Sequence, residues 1–450
     1  MSKKVSLLVI LLVSAYITGV TLKIAPWKQK KIIDQDVTFY YGYLPATFIY
    51  HDWSFRFADR KGFTGHVWSL DLPGGGRIQK MTMGVAYLYA PFFGIAHLWT
   101  KLTGGVSNGY SPNYHIALVW AGVFYLLLSL LILRKILNRF FADGITSLTI
   151  LTLALATNLF NYAAWDGAMS HIYSFFLFAC SLWLFLKWIN KPSAGISFLL
   201  GLTSGLIVLI RPSNLVFLLF LFLLFLFQDK SIREKVCFLT GIKWNWLMLT
   251  AGFFFFWIPQ LIYWKMNSGH WLFYSYLGEP FHFDRPQILN GLFSYRKGWL
   301  IYTPVMTFSL AGIFLMKGKL KRWIIPVLTA TLLNLYLVFS WWCWWYGGSF
   351  SARALVEFYV LLALPLGAFY SWIFKRQVIV RSITVGLLGF FIWLNLFQSK
   401  QYRTSLLHWD SMSKKAYWAI WGKESWPDNY QQMLIPTDAE KAKKGESEYP

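Results

Sequence analysis

Apolar runs of roughly 20 residues recur from one end of this chain to the other, each long enough to cross the ~30 Å hydrocarbon core of a bilayer as a helix. Backbone placed in hydrocarbon has no water to bond to, so such runs satisfy their own N–H and C=O groups as helices. Of the 450 residues, 56% are hydrophobic and only 14% are charged, whereas a soluble protein carries about 25% charged residues. The chain is expected to be an all-α polytopic membrane protein.

The net charge is +23, which in a soluble protein would point to nucleic acid. Here the basic residues gather in short loops between apolar runs, where they set orientation and meet anionic head groups. The expected partners are therefore membrane lipids and no nucleic acid. There is no zinc-ligand spacing, phosphate-loop glycine pattern or nucleotide fingerprint, so a soluble nucleotide is not expected as donor. Cys180, Cys237 and Cys343 give no disulfide framework.

Lys3 and Lys4 precede the apolar stretch Val5 to Leu22. The stretch reads as a retained first span rather than a signal peptide cleaved near Val13-Ser14-Ala15. Its basic start keeps the N-terminus cytoplasmic and sends the loop 23–112 outside. Residues 82–99 of that loop resemble another span. Later basic loops, such as Arg134-Lys135, Lys230 to Lys243 and Lys317 to Arg322, all fall inside only if 82–99 does not cross. That segment is therefore expected to be an interfacial or re-entrant helix, with Gly84, Pro91 and Gly94 allowing a bend. In the opposite topology 82–99 crosses and the first segment does not, which would turn the first loop to the cytoplasm.

The same parity divides 196–227 into two short spans that meet at Arg211-Pro212-Ser213-Asn214. Further spans are expected near 114–134, 145–161, 171–189, 244–264, 300–316, 323–340, 354–374 and 378–397. The total is about eleven. Residues 1–398 form the membrane domain. Residues 399–450 form a polar C-terminal tail on the outer side, a small appendage or partly disordered.

Side chains able to do chemistry collect on the outer side. Asp34 and Asp36 open the first loop, followed by the aromatic run Phe39-Tyr40-Tyr41-Gly42-Tyr43. A carboxylate there suits a general base, and a second acid strengthens it or helps hold a divalent cation. The alternative is that one acid caps the next helix and the other is solvated. Arg211 and Arg353 sit at span ends, where a guanidinium can fork onto a lipid phosphate or simply snorkel to head groups. Arg353 and Glu357 also have the spacing of an intrahelical ion pair. Trp341-Trp342-Cys343-Trp344-Trp345-Tyr346-Gly347-Gly348 is suited to stacking on a sugar, or to an interfacial belt. His171 and His282 fit structural roles best.

Taken in order, these motifs resemble the GT-C superfamily of integral-membrane glycosyltransferases, which includes protein O-mannosyltransferases and lipid A aminoarabinose transferases. The motifs are Asp36-x-x-x-Tyr40, Tyr40-Tyr41-Gly42-Tyr43-Leu44-Pro45-Ala46, Lys80 before a juxtamembrane helix, Ser170-His171-Ile172-Tyr173-Ser174-Phe175, Arg211-Pro212-Ser213-Asn214, Gly298-Trp299-Leu300-Ile301-Tyr302-Thr303-Pro304, and Trp345-Tyr346-Gly347-Gly348 with Arg353. Val37 stands where the superfamily often has another acid or glycine.

The resemblance implies an inverting hexosyl- or pentosyl-transferase in the bacterial inner membrane. It would move a sugar from a polyprenyl-phosphate-linked donor to a hydroxyl acceptor on a glycan, lipid or protein, with the active site and C-terminus periplasmic. Asp36 corresponds to the catalytic acid, with Asp34 beside it; both are candidate metal ligands. Lys80 corresponds to a basic residue near the donor phosphate, with Arg211 and Arg353 as further phosphate candidates. His171, Asn214, Lys297, Trp345 and Glu357 are the substrate-binding candidates. Two other readings stand beside it: a lipid-linked glycan transporter or flippase, and a glycan polymerase or ligase of a different membrane fold.

Overall fold

The computed structural model describes residues 4–446; Lys3 of the basic start and Glu448 at the end of the charged tail lie outside the described residues. The chain is mostly helical, and its one named sheet among those residues is the hairpin of Leu70–Asp71 and Arg77–Ile78. Among the described residues, five helices are long and apolar enough to cross a membrane: Val5–Gln29, Pro112–Leu137, Ser170–Trp188, Gly318–Phe339 and Val378–Arg403. A sixth crossing is available if Lys243–Phe255 and Trp257–Ser268, bent by 44°, act as one.

Others of the expected spans are shorter apolar helices, among them Ala194–Ile210, Pro212–Leu226 and Tyr359–Ile373, and some are interrupted. The apolar run at 145–161 is interrupted after Leu155, leaving the helix Asp143–Leu155 and a short second piece, Leu159–Ala164. The run at 300–316 is interrupted at Thr303 and Pro304, leaving Met306–Ile313, because proline lacks the N–H that a helix interior needs. Helices such as Asp143–Leu155, with 13 residues, reach only about 20 Å at 1.5 Å per residue.

The chain forms two compact units. One comprises Ile17–Ser129 and Tyr162–Leu277. Its tightest helix crossing joins Ala194–Ile210 to Lys243–Phe255, and glycines make it possible. A Cβ on Gly201 would lie 2.0 Å from the Leu249 carbonyl oxygen, one on Gly205 2.1 Å from that of Phe253, and one on Gly252 2.1 Å from that of Phe198. In lipid, where apolar burial gives helices no drive to associate, small residues let backbones meet and pack.

In the same unit the helix Gly84–Leu102 continues unbroken through Pro91. It is not one of the five long apolar helices. Val85, Tyr89, Phe93 and Ala96 are buried, while Ile95, Leu98, Trp99 and Leu102 are exposed.

The second unit comprises Met1–Tyr16, Leu130–Asn161 and Gly278–Pro450. Ser6, in the first turn of the first helix, donates both its backbone N–H and its hydroxyl to the buried Asp143 carboxylate. Residues after Arg403 build a core of their own: Leu406, Leu407, Met412, Tyr417, Ile420 and Tyr430 pack with Tyr302 and Phe350. Gln398 and Gln401, on the last long helix, bond to the Tyr417 hydroxyl at 2.7 Å and the Ile420 carbonyl at 2.8 Å.

Candidate functional site

Asp34 and Asp36 flank Gln35, whose backbone sits at φ 49 and ψ −134. A side-chain-bearing residue pays about 1–3 kcal/mol for such a conformation, and here it separates the two acids. Asp34 stays in the loop, half-exposed, with His66 Nε2 3.7 Å from its carboxylate. Asp36 begins the helix Asp36–Tyr41, where an acid meets the positive end of the backbone dipoles. From there Asp36 lies within electrostatic reach of Tyr89.

The rest of that helix, Val37 to Tyr41, is buried, and its hydroxyls fix its setting. Tyr40 donates to Ser170 Oγ at 3.2 Å, Tyr41 donates to the Gly109 carbonyl, and Tyr43, just beyond, donates to the Met81 carbonyl at 2.7 Å. Two motifs far apart in sequence, the Tyr40 run and Ser170-His171, thus meet. His171 is fully buried, its ring against that of Tyr162 at 5.2 Å.

The approach to the acids is anchored as well. Lys30 forms an ion pair with Asp166 and lies 4.5 Å from the Trp165 ring centre. The backbone N–H groups of Ile32 and Ile33 point at His115 Nδ1, at 3.1 and 3.3 Å.

Lys80 sits in a segment clamped from several sides. Its ammonium lies 5.3 Å from the Tyr276 ring centre, and its carbonyl accepts from Ser275 Oγ at 2.5 Å. The Gln79 N–H donates to the Tyr263 hydroxyl and the Met83 N–H to Gln260 Oε1, both at 2.7 Å. Thr82 bonds to the Leu209 carbonyl, and a Cβ on Gly84 would lie 2.8 Å from the Ile210 nitrogen. Arg211 follows directly. It ends the helix Ala194–Ile210 in extended backbone, and Pro212–Asn214 form a short 3-10 turn. Asn214 is buried and its amide donates to the Ile207 carbonyl at 3.3 Å, a carbonyl that also accepts from the Arg211 N–H at 3.4 Å.

Asp34, Asp36, Lys80, His171, Arg211 and Asn214 all belong to the first unit. Lys297, Trp345, Arg353 and Glu357 belong to the second. There the Lys297 nitrogen donates to the carbonyls of Ser349 and Trp409. Burial pushes Lys297 down to about 7; Asp410 opposes the shift, and Arg296 and Arg353 add to it. Trp345 is buried with the Arg296 guanidinium 5.5 Å from its ring centre. Glu357 is buried, and Arg353 opens the 3-10 turn Arg353–Leu355 just before it.

Sequence reasoning missed Lys30, His115, Gln260 and Tyr263. Gln260 and Tyr263 had a signal, since polar groups three apart in an apolar helix face one another's neighbour; Lys30 and His115 had none. No group of three or more His, Cys, Asp or Glu side chains gathers to hold a metal among the described residues.

Long apolar helices, enough for several crossings, define a multi-pass helical membrane protein. Its fold is shared by solved archaeal oligosaccharyltransferase chains. The chain is similar to the archaeal oligosaccharyltransferase AglB from Archaeoglobus fulgidus, solved with an inhibitory peptide and a dolichol-phosphate, at a TM-score of 0.54 and 13% identity over 96% of this chain and 60% of that one. It is similar to the apo form of the Archaeoglobus fulgidus oligosaccharyltransferase at a TM-score of 0.53 and 13% identity, over 97% of this chain and 61% of that one. This chain thus spans about 60% of the length of those proteins. No protein-family model matches the sequence, and no curated protein matches it.

Proposed function

We propose that this protein is a membrane glycosyltransferase that moves a hexose or pentose from a polyprenyl-phosphate-linked donor to a hydroxyl acceptor. One observation carries the reading: the segment that starts at Asp36 is tied, through Tyr43 just past its helix, to Met81 on the flank of Lys80, and the Lys80 segment is tied to the residues before Arg211 through Thr82 and Leu209. A base and two cations thereby share one connected framework in one unit. The fold supports the same reading, because AglB, which shares it, was solved with a dolichol-phosphate.

In this mechanism Asp36 accepts the proton of the acceptor hydroxyl as that oxygen attacks the anomeric carbon. The bond from that carbon to the phosphate oxygen breaks on the opposite face, and its electron pair leaves with the lipid phosphate. The anomeric configuration inverts. Lys80 and Arg211 stabilise the charge that grows on the phosphate. Asp34, one residue from Asp36, assists it as the second acid of the pair. No step is routed through a metal. The protein sits in the bacterial inner membrane with its N-terminus cytoplasmic and its C-terminus and Asp36 periplasmic.

The test is Asp36→Asn in purified, monodisperse protein supplied with polyprenyl-phosphate sugars. Removing a general base lowers the transfer rate by about 10²–10⁴, whereas Asp34→Asn lowers it less. Undiminished transfer by Asp36→Asn would remove the central residue of this mechanism.

A further inference from the structure

The tryptophan cluster has no part in the mechanism above, and the structure shows what covers it. Its floor is rigid. Phe281 and Trp341 form an antiparallel bridge, and backbone bonds run from His282 to Ser340 at 2.6 Å, from Trp342 to Pro280 at 3.1 Å and from Gln287 to Phe339 at 2.7 Å. The cover is the end of the described chain. Ala442, on the short helix Ala439–Lys443, is buried there. Its carbonyl oxygen accepts from His282 Nε2 at 3.1 Å. The Lys443 ammonium lies 5.5 Å from the Trp342 ring centre. Gly445, at φ 73, presses its backbone on the imidazole, where a Cβ would stand 2.9 Å from His282 Nδ1. The space left beneath is about 10 Å³, room for a single water.

The cover is held differently from the tail that leads to it. Up to Ile435 the tail is bolted in: its own core packs on Tyr302 and Phe350, the Ile435 N–H bonds to the Ser411 carbonyl, and Arg296 bonds to the Ile435 carbonyl. Beyond Thr437, which bonds to Asp410, Lys441 and Lys443 pair with Asp438 and Glu440 inside the segment itself. The change falls at Pro436-Thr437.

We propose that this floor is a binding site for a neutral saccharide, and that residues 438–446 are a strap that closes it. The groups engaged by the strap are those a sugar would use. An indole face attracts the weakly positive C–H face of a pyranose as it attracts the lysine. The His282 N–H that meets a peptide carbonyl would meet a sugar oxygen equally well. Arg285 and Gln287, at the rim of the cavity, supply further donors to hydroxyls. A saccharide fits better than a second peptide because a sugar offers that apolar face ringed by oxygens on every edge. The choice of ligand class rests on the glycosyl-transfer reading. Binding is measured without donor or turnover, so either can fail while the other stands.

Three chains are compared in detergent by equilibrium binding of fluorescently labelled chitotriose and maltotriose: the full chain, a chain ending at Thr437, and full-length Gly445→Val. If the strap closes the site, the full chain binds about tenfold more weakly than the other two, because only its open fraction is competent. Adding Trp342→Ala to the shortened chain abolishes binding. Equal affinity in all three chains overturns the strap. A monodisperse shortened chain that binds neither sugar, or binds only a synthetic 438–446 peptide, overturns the saccharide site. If the shortened chain does not fold, Gly445→Val decides by the same comparison.

Discussion

The Tyr40 hydroxyl donates to Ser170 Oγ at 3.2 Å, with both side chains buried. Tyr40 is one helical turn beyond Asp36, on the same face. Its bond to the first turn of the helix Ser170–Trp188 therefore ties the helix that carries Asp36 to that helix. Tyr40→Phe is expected to cost about 0.5–1.5 kcal/mol of stability and to lower transfer more than a stability change of that size explains. A double-mutant cycle with Ser170→Ala, read by thermal unfolding and by transfer rate, should give coupling in both. Additive effects would show that the pair does not orient the helix.

Lys30 and Asp166 form a similar restraint upstream of the acids, with side chains 33% and 15% exposed. That exposure screens the pair, so the expected coupling is about 1 kcal/mol. Lys30→Met and Asp166→Asn, singly and together, measure it. The coupling should shrink in high salt.

The helix crossing at Gly201 and Gly205 should tolerate no added side chain. A Cβ at Gly205 would overlap the Phe253 carbonyl oxygen, so Gly205→Val must push two backbones apart and should destabilise by about 1–3 kcal/mol or more. Gly195, on the same helix, has open space at its Cβ position. Gly195→Ala should leave the melting temperature in detergent unchanged.

Lys297 links pH to stability. Burial lowers it from an ordinary 10.5 to about 7, so between those values the unfolded chain binds a proton that the folded one does not. Stability should rise as pH climbs from about 7 towards 10, by at most about 1.4 kcal/mol per pH unit from this group. Below pH 7 both states hold the proton and the contribution is flat. The two carbonyls it meets match the two N–H groups of a neutral amine. Lys297→Met should flatten the slope, measured as melting temperature against pH. A slope unchanged by the substitution would assign it elsewhere.

Much of the architecture could be read from hydropathy alone, because a helix in hydrocarbon is a local solution to a local need. The break at Arg211-Pro212 is visible because proline punctuates helices wherever it stands. The span count was less legible. A window of apolar residues does not show that Leu155 ends one helix before Leu159 starts another, since both pieces are equally apolar. The fold of residues 406–430 was hidden for a related reason. Its buried leucines and aromatics are spaced irregularly among polar residues and become a core only against Tyr302 and Phe350.

The sequence by itself determined that this is a helical membrane protein with two acids opening its first loop, because composition and order alone settle which segments leave water. Tertiary structure decided what the polar residues do. Asn214 turns to the Ile207 carbonyl, Lys297 to two other carbonyls, and Tyr40 to Ser170. The last of these partners stand 130 positions apart. No periodicity encodes such a pairing, because it depends on which buried donors and acceptors the packed helices leave facing each other.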